Sequence, residues 1–346
     1  MLGVDRTTPL LASLSKPISK SISKSLSKPL SSNDGGHRHA FKPQRSRRRA
    51  FLALALCGAL SLAACSDETG DDAKVEEAVG VTVEAPKVEV LDQGAQPARV
   101  LRYEDADAQQ SVNLAIASGF GQQASDQAQV DSQAPASVET TSLKAQAEAQ
   151  VNSDEGSRSI TLRLHNPRID DLELGEDVAS SDGFQAGWFA DASGKISSVN
   201  FAAPVDATDR GRGVTEEYMR TLVANQVVFP DEALGVGGRW SVESLVSLGT
   251  NMLQTTTYTI RALDDASVDL DATIERRPAE GAIEDGDVQL KVLSSKSTST
   301  AKLHIDLREP LPQTGELSAI TRVVYGQDDS PARVLQDFGA AVRYSQ

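Results

Sequence analysis

The sequence predicts an α+β fold, mainly β: a strongly curved antiparallel sheet or open barrel with one main helix packed on it. Three observations carry this expectation. Apolar residues recur with period two from about residue 81 onward, turn-forming clusters separate the alternating runs, and a single segment carries clear helical spacing. Strict alternation buries one side of a strand and wets the other, which is the pattern of antiparallel sheet.

The alternating runs follow in chain order. Val112, Leu114 and Ile116 form the first, and Leu143, Ala145, Ala147, Ala149 and Val151 a weaker second. Ile160, Leu162 and Leu164 come next, then Val242, Val246 and Leu248, then Val268, Leu270 and Ile274, and last Leu303, Ile305 and Leu307. Residues 191–194 (DASG) join two such segments as a hairpin, and residues 264–266 (DDA) join two more. Residues 235–238 (GVGG) deliver the chain into a strand at Arg239-Trp240. Residues 121–137, nearly devoid of apolar side chains, are expected to be a mobile loop.

The helix is expected to begin at Thr215, an N-cap followed by Glu216 and Glu217, where the helix dipole favours acids. Met219, Leu222, Val223 and Val227 share one face, and Phe229-Pro230 ends the segment. Residues 331–346 are expected to form a short helix around Val334, Leu335 and Phe338. A helix packed on a curved sheet leaves room for an apolar cavity. Its expected lining is Trp188, Phe201, Leu222, Val223, Phe229 and Trp240, the bulky or apolar residues on and near the helix in sequence.

The N-terminal part is organised differently. An apolar run of 14 residues, 51–64, follows Arg45, Arg47, Arg48 and Arg49 and ends in Leu62-Ala63-Ala64-Cys65. That is too short to cross a bilayer, which takes about 20 residues. A basic stretch, an apolar stretch and small residues before a cut describe an export signal, and the cysteine makes it resemble a bacterial lipobox. Cys65 is therefore the expected lipidation site and first mature residue. Residues 48–52 also resemble a twin-arginine export signal, from which Arg47 and Ala53 depart. The expected organisation is a leader and lipoprotein signal over 1–64, a lipidated Cys with an acidic flexible tether over 65–80, a β-rich domain over 81–326, and a tail over 327–346.

Charge and cysteine content exclude several functions. The leader holds 11 of the 34 basic residues and 2 of the 49 acidic ones, leaving 23 against 47 from residue 65 onward, a net −24. Such a surface repels nucleic acid and anionic headgroups. Of the two cysteines, Cys57 leaves with the signal and Cys65 carries lipid, so no thiol remains for a disulfide, a metal or catalysis. No nucleophile elbow, zinc motif or phosphate loop appears. His165 and His304 lie in strand-like surroundings. Asp264, Asp265, Asp269 and Asp271 fall close enough to suggest a cation site, yet two belong to a turn and two to the outer side of a strand. At 4% aromatic residues the chain is poor in the platforms that sugar clefts use. No catalytic residue, metal or cofactor is expected.

The phrases at residues 97–103 (PARVLRY), 229–240 (FPDEALGVGGRW), 253–260 (LQTTTYTI), Pro310-Leu311-Pro312 and Gly315-Glu316 occur in an order that resembles a family of uncharacterised, actinobacterial-type lipoproteins. The resemblance covers roughly residues 81–326. It implies a β-rich exported domain and supplies no catalytic residue. The sequence thus points to a membrane-anchored envelope protein, non-enzymatic, that binds a lipid or other apolar ligand. The alternative is a scaffold that binds a protein partner and no small ligand.

Cys65→Ser is expected to leave the precursor uncleaved at this site and without acyl chains, since stable anchoring takes more than one chain. Intact-mass measurement and detergent partitioning check this; a lipid-sized mass on the mutant contradicts it.

Overall fold

The computed structural model describes residues 74–346 apart from 79, 131–135, 155 and 286–287. The export signal and Cys65 lie outside the described residues. Fourteen strands and two helices follow in chain order: β1 (Val81–Thr82), β2 (Lys87–Asp92), β3 (Gln109–Asp126), β4 (Thr141–Asp154), β5 (Ser157–Ile169), α1 (Gly175–Ala179), β6 (Gln185–Asp191) and β7 (Ile196–Ala202). The second half comprises α2 (Asp209–Ala224), β8 (Arg239–Ser247), β9 (Asn251–Leu263), β10 (Ser267–Pro278), β11 (Ala282–Asp285), β12 (Val288–Asp306), β13 (Thr314–Gly326) and β14 (Ala332–Ser345). The fold is mainly β: one antiparallel sheet in the order β1-β7-β6-β5-β4-β3-β14-β13-β12-β10-β9-β8-β2, with β11 beside β12. Its hydrogen-bonded ladder is not closed into a barrel.

Each alternating run of the sequence falls on a strand, with Leu248 and Leu307 just past the ends of β8 and β12. Val112, Leu114 and Ile116 of β3, Ile160, Leu162 and Leu164 of β5, and Leu303 and Ile305 of β12 enter the main buried cluster together with Met219 and Leu222 of α2. A second cluster gathers Val246, Met252, Leu290, Val323, Tyr325, Val334 and Phe338. Both expected hairpins are present, at residues 191–196 and 263–267. The glycines at 235–238 do lead into β8. Gly237 has φ +83°, and a Cβ on Gly235 would meet the Ala95 carbonyl at 1.7 Å. An ion pair buried within the domain ties residue 105 to β5: Arg158 Nε donates to Asp105 Oδ1 at 2.8 Å, and the guanidinium lies 3.9 Å over the Tyr103 ring.

Four expectations are corrected. The helix begins at Thr208, whose hydroxyl accepts from the Gly211 N–H at 3.0 Å, and ends at Ala224 with Asn225 as its cap. Gly211 and Gly213 disfavour helix in isolation. Here Gly211 lies so close to α1 that a Cβ would sit 2.0 Å from the Asp177 carbonyl, so packing overrides propensity. Thr215 is a buried mid-helix residue.

Residues 332–345 are not a helix in a tail but strand β14, paired along its length with β3 and β13. Residues 333–340 are all buried, which erases the period of two. Gly339 and Gly119 are register partners, and residues 138–140 lie against them, covering the second face: a Cβ on Gly339 would meet Val138 Cγ1 at 2.8 Å.

Residues 121–126 likewise continue β3, held by the β14 ladder, and Gln127–Gln129 form a 3₁₀ turn. Finally, part of the expected tether is docked. Val75 bridges Pro204, Glu76 N–H donates to the Ala203 carbonyl at 2.9 Å, and Glu76 pairs with Arg212 of α2.

Deleting residues 327–346 is expected to abolish cooperative folding, since it removes a strand from mid-sheet. Circular dichroism and thermal melting of the truncated chain check this; a sharp β-type transition contradicts it.

Candidate functional site: the groove at the open seam

The two chain halves form successive strands that run outward from the β3–β14 pair, so the last strand of each, β7 and β8, approaches an edge. Short N-terminal strands cover both. β1 pairs with β7 (Val81↔Val199, Thr82↔Ser198), and β2 pairs with β8 (Lys87↔Glu243 to Asp92↔Arg239). Only residues 83–86 join β1 to β2. Five Cα steps of about 3.8 Å from Thr82 to Lys87 hold the two covered edges within about 19 Å of each other.

A groove of about 230 Å³ opens along this seam. Val83, Glu84 and Pro86 of the connecting strap form one wall; Ile196, Val199 and Phe201 of β7 and Val242 with residues 244–247 of β8 form the sides. Arg220, Val223 and Ala224 of α2, followed by Gln226 and Val228, complete it. Most of these side chains are apolar. Arg220 is held at the mouth by Glu216, to which its Nε donates at 3.1 Å, and its guanidinium lies 5.4 Å from the Phe201 ring centre.

β8 outruns its partner β2 here. The Leu248 N–H donates to the Thr250 carbonyl at 3.0 Å, which makes Ser247 and Asn251 a non-hydrogen-bonded pair. Alternation then turns the backbone groups of Ser244 and Val246 toward β9 and those of Leu245 and Ser247 toward the groove. β2 begins opposite Glu243, so among the described residues no strand covers this stretch. Leu245 is half exposed.

Of the six residues expected to line a cavity, the structure brings Phe201 and Val223 to the groove. Trp188, Leu222, Phe229 and Trp240 are instead packed in the core, each at most 2% exposed. Trp240 Nε1 donates to the Val228 carbonyl at 2.8 Å, and its ring stacks on Tyr258 at 5.0 Å. Burial lifts the Tyr103 hydroxyl nearby to a pKa of about 12. The space between helix and sheet is thus filled, and the free space lies at the seam beside the end of α2. Nearness in sequence placed these residues around the helix but not on a given side of it. Val242 and Val246 belonged to an alternating run, while the strap at 83–86 carries no sequence signal of its role.

Of the other candidate groups, His304, Asp269 and Asp271 are engaged in pairs. His304 Nδ1 lies 2.6 Å from Asp269 Oδ1, Arg261 Nε donates to Asp271 at 2.6 Å, and His165 lies 3.3 Å from Glu148. Among the described residues no three His, Cys, Asp or Glu side chains converge as a metal site. A larger hollow, about 620 Å³, lies on the outer side of β3, β4, β5 and β14. Of its cations, Lys144 and Arg343 pair with Asp170 and Glu316 at 2.9 and 2.7 Å, and Arg168 also lines it.

No helix among the described residues is long and apolar enough to cross a membrane. No protein-family model and no curated protein matches the chain.

In a chain with Cys57 and Cys65 replaced by Ser, Thr82→Cys with Ser198→Cys is expected to form a disulfide on air oxidation. Directly opposed antiparallel residues stand at the Cα separation a disulfide needs. Closing so long a loop is expected to stabilise the fold by up to ~5 kcal/mol in the chain-entropy limit, read as a rise in melting temperature. Free thiols by titration contradict the seam.

Proposed function

We propose that this chain is a non-enzymatic envelope lipoprotein, anchored to the membrane through Cys65, whose β-rich domain binds a lipid or other apolar ligand at the seam groove. The observation that carries the reading is the groove itself: a recess with largely apolar walls, framed by both ends of one sheet and by the helix. Ligand sites take this form, with few polar groups set in an apolar lining. In this reading the sheet curves strongly enough to bring its ends together as an open barrel, and the strap at 83–86 spans the gap.

The placement of the anchor supports the same reading. Lys74, where the described chain begins, is nine residues beyond Cys65, so at most about 30 Å of extended chain separates it from the bilayer surface. The resemblance to actinobacterial-type lipoproteins agrees and adds no functional residue. Nucleic acid is excluded as a partner by the net charge of −24 from residue 65 onward. One observation favours the alternative, a scaffold for a protein partner: the uncovered backbone of Leu245 and Ser247 offers an edge to which an extended segment can add.

Val223→Trp fills the groove from α2 while leaving Leu222 in the core. It is expected to weaken binding of a fluorescent fatty acyl probe at least tenfold, with the melting temperature changed by only a few degrees. Fluorescence titration and native mass spectrometry check this. Absence of probe binding and of co-purified lipid in the unaltered protein selects the scaffold reading.

A further inference from the structure

Behind the groove lies a polar layer that the apolar reading leaves unused. On β8, Ser244 stands between Val242 and Val246 and lines the groove. Its register partner on β9 is Gln254, whose partner on β10 is Arg276. The layer separates the two apolar clusters: Val242, Tyr258, Ile274 and Ala319 lie on one side, Val246, Met252 and Val323 on the other. Asn225, flanked in sequence by the groove residues Ala224 and Gln226, accepts from Gln254 Nε2 at 3.3 Å. Arg276 is therefore two hydrogen bonds from the C-terminal cap of α2 and two strands from the groove wall.

Arg276 is only 4% exposed, yet both acceptors that hold it are neutral. Nε donates to Gln254 Oε1 at 2.8 Å and Nη1 to the Ala319 carbonyl at 3.3 Å. Among the described residues no carboxylate bonds to it. Two other guanidinium groups of low exposure have a carboxylate: Arg158 is paired with Asp105, and Arg322 donates to Asp337 at 2.8 and 2.6 Å. Arg333, 8% exposed, is held like Arg276 by neutral acceptors, but these are four, the carbonyls of Gln327, Ser330 and Ala332 and Gln127 Oε1, against two for Arg276. Burying a charge without a counter-charge is strongly unfavourable, and burial draws this guanidinium down to a pKa of about 10. A guanidinium has five donors in a planar fork that matches a carboxylate, and here both acceptors bonded to it are neutral.

We propose that this layer is an anion-recognition site, and that the ligand of the groove is a single-chain amphiphile with a carboxylate head. The chain occupies the seam between β7 and β8. The head displaces the Gln254 amide from Arg276 and accepts from Nε and a terminal nitrogen of the fork. The swung Gln254 keeps its bond to Asn225. This inference rests on the groove reading and adds the class of ligand.

The test compares palmitate with hexadecanol, equal in chain length and differing in head charge, by isothermal titration of the mature protein. The expected result is palmitate binding at least tenfold tighter, with the preference lost in Arg276→Met while hexadecanol affinity stays within threefold. Replacing a buried, incompletely paired charge by an apolar side chain of similar length is tolerated in folded proteins. Should that variant not fold, Arg276→Lys carries the test. It keeps the charge but loses the fork, and palmitate binding is expected to weaken at least threefold. Equal binding of palmitate and hexadecanol by the unaltered protein overturns the anion site and leaves the groove reading intact. A preference that survives Arg276→Met, or palmitate binding unchanged in Arg276→Lys, overturns the role of Arg276. If neither compound binds, the groove reading fails, and this inference with it.

Discussion

The pairing of β14 with β3, residues 332–345 against 113–126, holds the two halves of the chain in one sheet. Every other long pairing of the sheet lies within one half: β3 to β7 form one consecutive series, β8 to β14 the other. Among the described residues, the only strand pairings that connect them are this ladder and the short N-terminal strands, so the sheet is complete only when residues 332–345 are in place. Its cost in loop closure is high, because more than two hundred residues separate the partners. What offsets it is burial on both faces. Phe338 and Val342 point into the interior clusters, and Gly119 and Gly339 admit residues 138–140 against the other side.

A sheet built this way has two ends, and exposed ends invite pairing with other chains. The segment after residue 74 handles both. It lies beside residues 203–205, pairs with β7 as β1, crosses four residues, and pairs with β8 as β2. The crossing leaves the last residues of β8 uncovered and opens the groove beside the end of α2. The groove is a consequence of strand lengths: β2 reaches only as far as Glu243, whereas β8 continues to Ser247.

The interior is not uniformly apolar. Gln254, Arg276, Thr321 and Asn225 form a buried polar stratum between two apolar clusters. Beside it the β10–β12 ladder gives way to serine hydroxyls: Ser299 and Ser297 accept from the Ile274 and Arg276 N–H groups at 2.9 Å, and Ser295 donates to the Arg276 carbonyl at 2.7 Å. Side chains there do the work of backbone, which satisfies the Ile274 and Arg276 N–H groups while holding the strands apart. Hydrogen-bonded strata of this kind specify register at some cost in stability.

By itself the sequence determined the class of fold, the alternating strands, two hairpins, the apolar face of α2 and the absence of cysteine after residue 65. These are local properties: the period of side chains along a strand, the residues a turn accepts, the composition of a segment. It also showed that Met219, Leu222 and Val223 face the sheet. Tertiary structure alone decided that residues 332–345 are a strand, because burial on both faces removes the alternation a reader looks for. It decided that α2 starts at Thr208, because a close approach to α1 makes an asset of Gly211. It decided that Phe201 and Val223 line free space while Trp188, Leu222, Phe229 and Trp240 fill the core, because distance along the chain says nothing about which side of a helix a neighbour occupies. The strap and the polar layer were invisible for the same reason: Pro86 and Val246 line one groove, and Gln254 links Arg276 to Asn225, only when segments far apart in sequence are set side by side.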